Sequence, residues 1–138
     1  CSIVEEYSDN APKGEIFKQS IEVQKEIYEG DTIKLYISLG KEPTIGQRNA
    51  LSKAKSYLNA MAFSYTGLIK QLEFEKYSHE DAVYGADNCG ANWNEQAAIK
   101  AKNYLDTMAF SRDGLIKQLE FEGFTHEQAI YGVTQNGY

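Results

Sequence analysis

Four glutamates in two identical pairs are the first residues of this chain that suggest chemistry. Glu73 and Glu75 recur as Glu120 and Glu122, each pair within the sequence K-Q-L-E-F-E. A glycosidase needs two carboxyl groups that oppose each other across the scissile bond. Residues two apart on a helix point to different sides and do not face each other. The spacing therefore predicts solvated surface charge at all four positions.

Two histidines also stand at equivalent positions. His79 and His126 each follow a Ser or Thr that is spaced to open a short helix. A catalytic histidine needs an orienting acid and usually a nucleophile, and the spacing shows no such set. We expect a surface imidazole at both positions, no catalytic residue and no enzymatic activity.

An oxygen-rich stretch, residues 87–95, suggests a cation-binding loop. An EF-hand loop that began at Asp87 would need Gly at its sixth position and Glu at its twelfth, but those residues are Asn92 and Ala98. The chain has two cysteines and two histidines without the usual zinc spacing. The sequence therefore predicts turn and capping roles here, with no metal and no cofactor.

The two cysteines leave alternatives open. Cys1 is a candidate lipidation site, as in a mature bacterial lipoprotein, or it marks a boundary within a longer chain. Cys89 has no basic neighbour in the sequence that would activate its thiol. A disulfide between Cys1 and Cys89 is a further alternative, because export would permit one.

The composition limits the classes of protein to consider. The chain has 138 residues, of which 42% are hydrophobic, so it forms one ordinary domain or two small ones. Its net charge is −6, from 14 basic and 20 acidic residues, which counts against binding to nucleic-acid phosphates. It contains no apolar run of the length, about 18 residues, that a membrane span requires.

An internal repeat is the strongest pattern in the chain. When residues 50–90 are aligned with 97–137, 25 of the 41 positions are identical. The block G-L-I-K-Q-L-E-F-E is unchanged between the two copies. Self-similarity at a fixed period of this length indicates duplicated structural units.

Each copy has the pattern of three short helices. Apolar residues recur at spacings of three and four, as a buried helix face requires. Ser64, Ser111 and Asn92 stand where N-caps are needed, and Gly85 and Gly132 look like helix stop signals. We expect most aromatic side chains to lie in the core and Trp93 to pack one repeat against the other. We also expect these residues to be buried: Met61, Phe63, Leu72, Met108, Phe110 and Leu119.

The first 40 residues alternate in the manner of strands. Candidate strands run over residues 2–7, 15–19 and 33–38, with turn signals between them. The sequence predicts an α+β protein, in which a small three-stranded antiparallel sheet precedes two helix-turn-helix-like repeats of three helices.

The repeat half resembles the host cell surface-exposed lipoprotein family, also called the Ltp family. The resemblance rests on residues 57–97 and on the second copy to Tyr138. It implies a place on the extracellular face of the bacterial envelope. It also implies superinfection exclusion, in which a phage tape-measure-type protein is bound and DNA entry is blocked.

The first 40 residues resemble the later part of a PASTA domain, a wall-binding module. The matching sequences are P-K-G-E-I-F-K-Q-S, residues 12–20, and E-G-D-T-I-K-L-Y-I-S-L-G, residues 29–40; a proline common in the motif is replaced by Ile21. The helix that precedes the strands in that family is missing. Because a sheet of this size leaves an apolar face, we expect more chain upstream of Cys1, or cover from the helical repeats. The predicted domains are 1–41 (partial PASTA-like), 47–90 (repeat 1) and 91–138 (repeat 2).

Three hypotheses follow for the function. The first is a non-enzymatic envelope protein that binds a phage protein; any membrane attachment is through an upstream anchor or a lipid. The second is a wall-sensing module in which the sheet contacts peptidoglycan. The third is a helix-turn-helix DNA-binding protein, which ranks last because residues 44–138 have nine basic and eleven acidic residues.

The charge pattern suggests a binding surface, which we call the acidic surface. Each repeat has carboxylates at the end of its second helix and in the first turn of its third, and two such patches would bind a basic or amphipathic segment with avidity. The proposed residues are Glu73, Glu75, Glu80, Asp81, Glu120, Glu122 and Glu127.

Overall fold

The computed structural model describes residues 2–19 and 29–138, which fall into two compact units, Cys1–Pro43 and Thr44–Tyr138. The described residues form three strands in the first unit and six helices in the second, which confirms the α+β class. Cys1 lies outside the described residues, and so do its predicted lipidation and its predicted disulfide with Cys89.

The strands of the first unit are β1 (Ser2–Glu6), β2 (Ile16–Gln19) and β3 (Lys34–Ser38). Their order is β1-β3-β2, so that β3 lies in the centre. β3 pairs parallel to β1 and antiparallel to β2. The prediction of a purely antiparallel sheet is therefore wrong. β2 runs opposite to β3, and β1 runs in the same direction as β3. Because β3 lies between the other two strands, it pairs parallel to one neighbour and antiparallel to the other.

Ser38 fixes the turn between β1 and β2. Its hydroxyl donates a 2.7 Å hydrogen bond to the carbonyl of Ala11 and accepts one of 3.0 Å from the amide of Gly40. The Ser38 side chain is buried, and these bonds satisfy its polar atom. On the same strand, the Tyr36 ring receives the Lys18 ammonium 4.2 Å from its centroid.

The helices of the second unit form two sets of three. Repeat 1 consists of α1 (Ile45–Ala60), α2 (Tyr65–Phe74) and α3 (His79–Asn88); repeat 2 consists of α4 (Trp93–Thr107), α5 (Arg112–Phe121) and α6 (His126–Gln135). None of the helices within residues 2–19 and 29–138 is both long and apolar enough to cross a bilayer.

The predicted N-caps begin these helices. The side chains of Ser64 and Ser111 accept hydrogen bonds from the amides of Gly67 and Gly114, 3.0 Å away in each case. Asn92 accepts in the same way from the amide of Glu95. Each bond satisfies an amide that has no partner within its helix, so these ends are encoded locally.

Each repeat has its own apolar core. Leu72 and Leu119 are fully buried, as predicted, and each lies in the cluster of its own repeat. The buried residues of the two clusters are Ala54, Leu68, Ile69, Leu72, Ala82 and Ala86 in repeat 1, and Ala97, Ala101, Leu115, Ile116, Leu119, Phe124, Ala129 and Val133 in repeat 2.

Gly85 and Gly132 do not end their helices, so their interpretation as stop signals is wrong. α3 continues to Asn88 and α6 to Gln135. A Cβ atom at Gly85 would lie 2.9 Å from the carbonyl oxygen of Ala50 in α1, and one at Gly132 would lie 2.8 Å from that of Ala97 in α4. The two glycines therefore let the third helix of each repeat approach the backbone of the first.

The two methionines are exposed, which contradicts the prediction of burial. Met61 is 54% exposed and Met108 is 51% exposed, while Phe63 and Phe110 are partly buried against their cores. Both methionines are the C-cap residues of their helices, with an extended backbone. The chain leaves the helix at this point, and the apolar stripe of the first helix therefore does not carry the methionine into the core.

Candidate functional site

The end of the second helix and the start of the third form the same turn in both repeats. Glu75 and Glu122 are the C-cap residues of α2 and α5, and His79 and His126 are the first residues of α3 and α6. Four predicted carboxylates of the acidic surface, Glu73, Glu75 and their equivalents, lie at this turn. The sequence predicted that they are solvated, whereas all four have partners within the chain.

Glu75 accepts a hydrogen bond from the Tyr57 hydroxyl and lies 3.1 Å from the Lys53 ammonium. The Tyr57 hydroxyl in turn accepts a 3.2 Å bond from the Gln71 amide. The hydrogen bond from Tyr57, followed by Lys53, holds the pKa of the Glu75 carboxyl below its ordinary value. The same ion pair raises the pKa of Lys53. Glu75 therefore joins the first helix to the second.

Repeat 2 has the same arrangement. Tyr104 donates to Glu122 and accepts a 3.1 Å hydrogen bond from Gln118, while the Lys100 ammonium lies 3.6 Å from Glu122. Burial, and next the hydrogen bond to Glu122, raise the pKa of Tyr104. This carboxylate is also a structural link.

Each histidine pairs with the first glutamate of its repeat. Nδ1 of His126 lies 2.7 Å from Oε1 of Glu120, and His79 pairs with Glu73 in the same way. Because a carboxylate only accepts, the ring nitrogen is the donor. Both imidazoles are exposed. Sequence reasoning placed the histidines at the surface but missed these pairs; their equal spacing of six residues in both copies was the available signal.

The remaining acidic residues lie in the first turn of the third helices. The Asp81 carboxylate lies against Gly46 in the first turn of α1, where negative charge is favourable. Glu80 and Glu127 are exposed in the first turns of α3 and α6. The contact between His79 and Glu73 joins the start of α3 to the end of α2. Whether the seven residues bind a partner stays a prediction.

Two phenylalanines at the same turn are the functional candidates that sequence reasoning missed. Phe74 is 79% exposed and Phe121 is 86% exposed, although the sequence analysis expected most aromatic side chains in the core. Each stands between the two glutamates of its repeat at the end of the second helix. Their position at a helix end, just before the C-cap, was the signal that they leave the core stripe.

The two repeats meet through the turn between α1 and α2. The Ser64 hydroxyl donates a 2.6 Å hydrogen bond to the carbonyl of Glu122, and the amide of Phe63 donates one of 3.1 Å to the Gln96 side chain. Trp93 packs on the core of repeat 1, with its ring 5.5 Å from that of Tyr65. The predicted role of Trp93 between the repeats is confirmed.

A groove of about 370 Å³ lies where the repeats meet. Its lining includes Phe74 and Lys70 of α2 and Lys100 and Glu122 of repeat 2. The groove is therefore lined by an exposed aromatic ring and by charges of both signs.

The loop between the repeats supplies the C-cap residue of α3 and the N-cap residue of α4. Cys89 is the C-cap residue of α3, and its thiol donates to the carbonyl of Ala86. Asn92 caps α4. Within residues 2–19 and 29–138, no group of three or more acidic, histidine or cysteine side chains is placed to hold a metal ion.

Comparisons with known proteins agree with this architecture. The family model described as host cell surface-exposed lipoprotein matches residues 46–89 and 92–135, and the PASTA domain model matches residues 2–39. No curated protein sequence matches the chain.

Among solved structures, the chain is similar to Ltp, a superinfection exclusion protein from the Streptococcus thermophilus temperate phage TP-J34. The two share 40% sequence identity with a TM-score of 0.64, over 67% of this chain and 97% of the other. The family description is consistent with a location on the extracellular face of the cell. The chain belongs to the family of host cell surface-exposed lipoproteins.

Proposed function

We propose that this protein is a non-enzymatic superinfection-exclusion protein that binds a phage protein at the cell surface. The observation that carries the proposal is the 40% identity to the exclusion protein Ltp, together with the match of the family model to both repeats. The inferred partner is a tape-measure-type protein, by the family resemblance. Binding would occlude the partner and so stop DNA passage.

The arrangement of the repeats supports a binding role. Both present the same turn at their surface, and the Ser64–Glu122 hydrogen bond and the Trp93–Tyr65 contact hold them together. Two equivalent surfaces in one unit increase the effective concentration of the second contact once the first has formed. The acidic surface is our proposal for the charged part of this contact.

Exclusion of phage tests the proposed function. Cells that display the full chain should plate a sensitive phage less efficiently than cells that display a variant lacking residues 44–138. Phage adsorption should be equal in both, because the block would act at DNA entry. Equal plating on the two strains, with both proteins confirmed at the surface, would contradict the proposal.

The acidic surface has a separate test. Glu80→Gln together with Glu127→Gln removes one exposed carboxylate from the first turn of the third helix of each repeat. We expect slower association at low salt and little change at high salt. The matched control is Glu5→Gln with Glu95→Gln, which removes the same charge from exposed sites elsewhere. If both pairs of substitutions gave equal association rates, the proposal that the acidic surface contacts the partner would be wrong.

The match of residues 2–39 to the PASTA model favours a second candidate function, contact with peptidoglycan. The described surface of this unit has Tyr36 with the Lys18 ammonium over its ring and Phe17 at its edge. Sedimentation of the full chain with purified cell wall tests the proposal. Tyr36→Ala should reduce co-sedimentation, and equal sedimentation of both proteins would argue against this surface.

A further inference from the structure

Two turns of each repeat form different docking surfaces. The turn that leads into the second helix, which we call the donor turn, covers residues 62–66 in repeat 1 and 109–113 in repeat 2. The turn that leads out of the second helix, which we call the carbonyl turn, covers residues 75–77 and 122–124. Within the chain, the donor turn of repeat 1 docks on the carbonyl turn of repeat 2. The donor turn of repeat 2 and the carbonyl turn of repeat 1 lie outside this junction.

The junction requires a glycine on the carbonyl turn. The Ser64 hydroxyl donates to the carbonyl of Glu122, and the Thr66 hydroxyl donates a 3.2 Å hydrogen bond to the carbonyl of Gly123. A Cβ atom at Gly123 would stand 2.7 Å from the Ser64 oxygen and still closer to that of Thr66. The Ser64 hydroxyl also accepts the capping bond from Gly67, so a shift of this group would break two hydrogen bonds.

Repeat 1 has a lysine at the equivalent position. Among the residues that the structure describes, Lys76 is the only one other than glycine with a positive φ, 75°. The backbone turn is the same in both repeats, because the amides of Lys76 and Gly123 donate to the carbonyls of Glu73 and Glu120, at 2.9 Å and 3.0 Å. Glycine is the usual residue in this conformation after a helix, since a side chain there is strained. The turn therefore favours glycine in both repeats and does not explain a lysine in one.

We propose that Lys76 is a blocking residue, which prevents the carbonyl turn of one chain from receiving the donor turn of a second copy. Such a head-to-tail contact would repeat the junction seen within the chain, with Lys76 in the place of Gly123. The lysine side chain would then enter a space that only a hydrogen atom fills at Gly123. This inference concerns contacts of the chain with itself and goes beyond the proposed function.

The donor turn of repeat 2 is altered in a matching way. Asp113 stands where repeat 1 has Thr66. A carboxylate accepts hydrogen bonds but donates none, so in a second junction Asp113 would face a carbonyl without offering it a donor. An ion pair between Asp113 and Lys76 of two copies would not relieve the crowding, because the Cβ atom at the root of the lysine side chain causes it. One residue on each turn thus opposes a second use of the junction.

A block of this kind has a physical purpose in a chain of docked repeats. The junction joins two different surfaces, and a contact between unlike surfaces that does not close on itself adds copies without limit. Repeats stack through contacts between nearest neighbours, so a junction that joins two repeats would also join two chains. Lys76 confines the docking to the two repeats of one chain.

Transfer of the lysine into the existing junction tests the block. Gly123→Lys should undock the repeats. Hydrogen exchange at the amide of Phe63, which bonds to Gln96 across the junction, should then become at least about tenfold faster. Gly123→Ala adds the Cβ atom alone and should act in the same direction. Unchanged exchange at Phe63 in folded Gly123→Lys would show that the junction accepts a lysine and would overturn the proposal.

Gly137 provides the matched control for backbone strain. It follows α6 as Gly123 follows α5, and its φ of 101° is close to the 100° of Gly123. Among the described residues, no heavy atom lies within 4 Å of where its Cβ atom would stand. Gly137→Lys should therefore leave the exchange at Phe63 unchanged. Equal acceleration in the two lysine variants would assign the effect to strain and overturn the proposal.

Removal of the block tests association between copies of the full chain. Lys76→Gly with Asp113→Thr gives both unused turns the residues of the junction at these positions. Its average mass in sedimentation equilibrium should rise with concentration up to about 1 mM, a range that populates contacts of millimolar affinity. Lys76→Ala with Asp113→Thr keeps the Cβ atom and should sediment as the parent protein does. A glycine variant that stays monomeric, or a parent protein or alanine variant that associates equally, would overturn the proposal.

Discussion

Some identical residues at equivalent positions of repeat 1 and repeat 2 have different environments. Ser64 is 2% exposed, whereas its equivalent Ser111 is exposed. Ala62 is buried, whereas Ala109 is exposed. In repeat 1 the turn between the first and second helices is covered by repeat 2, and in repeat 2 the equivalent turn is exposed.

The difference shows which properties belong to a repeat and which belong to the pair. The N-caps, the apolar cores and the glycines at which the third helix approaches the first occur in both copies. These features stabilise each repeat internally. Two of the side chains that contact the other repeat differ between the copies. Tyr65 and Thr66 of repeat 1 are Arg112 and Asp113 in repeat 2. These charged residues replace two of the side chains with which repeat 1 contacts repeat 2.

The largest expected effect tests whether the two cores are equivalent. Leu72→Ala and Leu119→Ala should each lower the free energy of unfolding by about 2–5 kcal/mol, because each leaves a cavity in a fully buried cluster. Chemical denaturation measures the loss. A near-neutral result in one repeat alone would show that its core can collapse around the missing side chain.

The next effect tests the close approach of the third helix to the first. Gly85→Ala and Gly132→Ala should each lower the free energy of unfolding by about 1–3 kcal/mol, because the new methyl group collides with backbone atoms. In an uncrowded helix interior the same change is stabilising by about 1 kcal/mol. The sign of the change in melting temperature therefore distinguishes a crowded glycine from an uncrowded one. A higher melting temperature of either variant would contradict the close packing of the third helix on the first.

The contact between repeats predicts a smaller, unequal effect of one substitution in the two copies. Ser64→Ala and Ser111→Ala should both remove an N-cap, at a cost of about 1 kcal/mol. Ser64→Ala should cost about 1 kcal/mol more, because the carbonyl of Glu122 loses its donor. Equal losses in the two variants would show that the hydrogen bond between repeats contributes nothing.

The smallest effect concerns the pH dependence of Glu75. The pKa of its carboxyl is lowered in the folded protein, so its contribution to stability is present above the ordinary value of 4.5 and is lost as pH falls through the lowered value. The difference in melting temperature between the parent protein and Glu75→Gln should therefore shrink in acid. Tyr57→Phe should reduce that difference at neutral pH. A difference independent of pH would contradict the assignment.

Several features of the site and fold depend on distant contacts, and sequence patterns did not reveal them. The hydroxyl of Tyr57 and the carboxylate of Glu75 lie 18 residues apart, and only the packing of α2 on α1 brings them together. Phe74 and Leu72 stand two residues apart in one motif, yet one is exposed and the other fully buried. The helical pattern alone does not show where neighbouring helices stop covering a face.

The sequence by itself determined the duplication, the N-capped starts of the helices and the buried leucines. N-caps such as Ser64 and Asn92 act within one turn, and a helical stripe is a local property that a single segment displays. Tertiary structure alone decided the parallel pairing of β1 with β3, the close contact at Gly85 and the partners of the glutamates. Each of these depends on which distant segment becomes a neighbour, and local spacing carries no information about that choice.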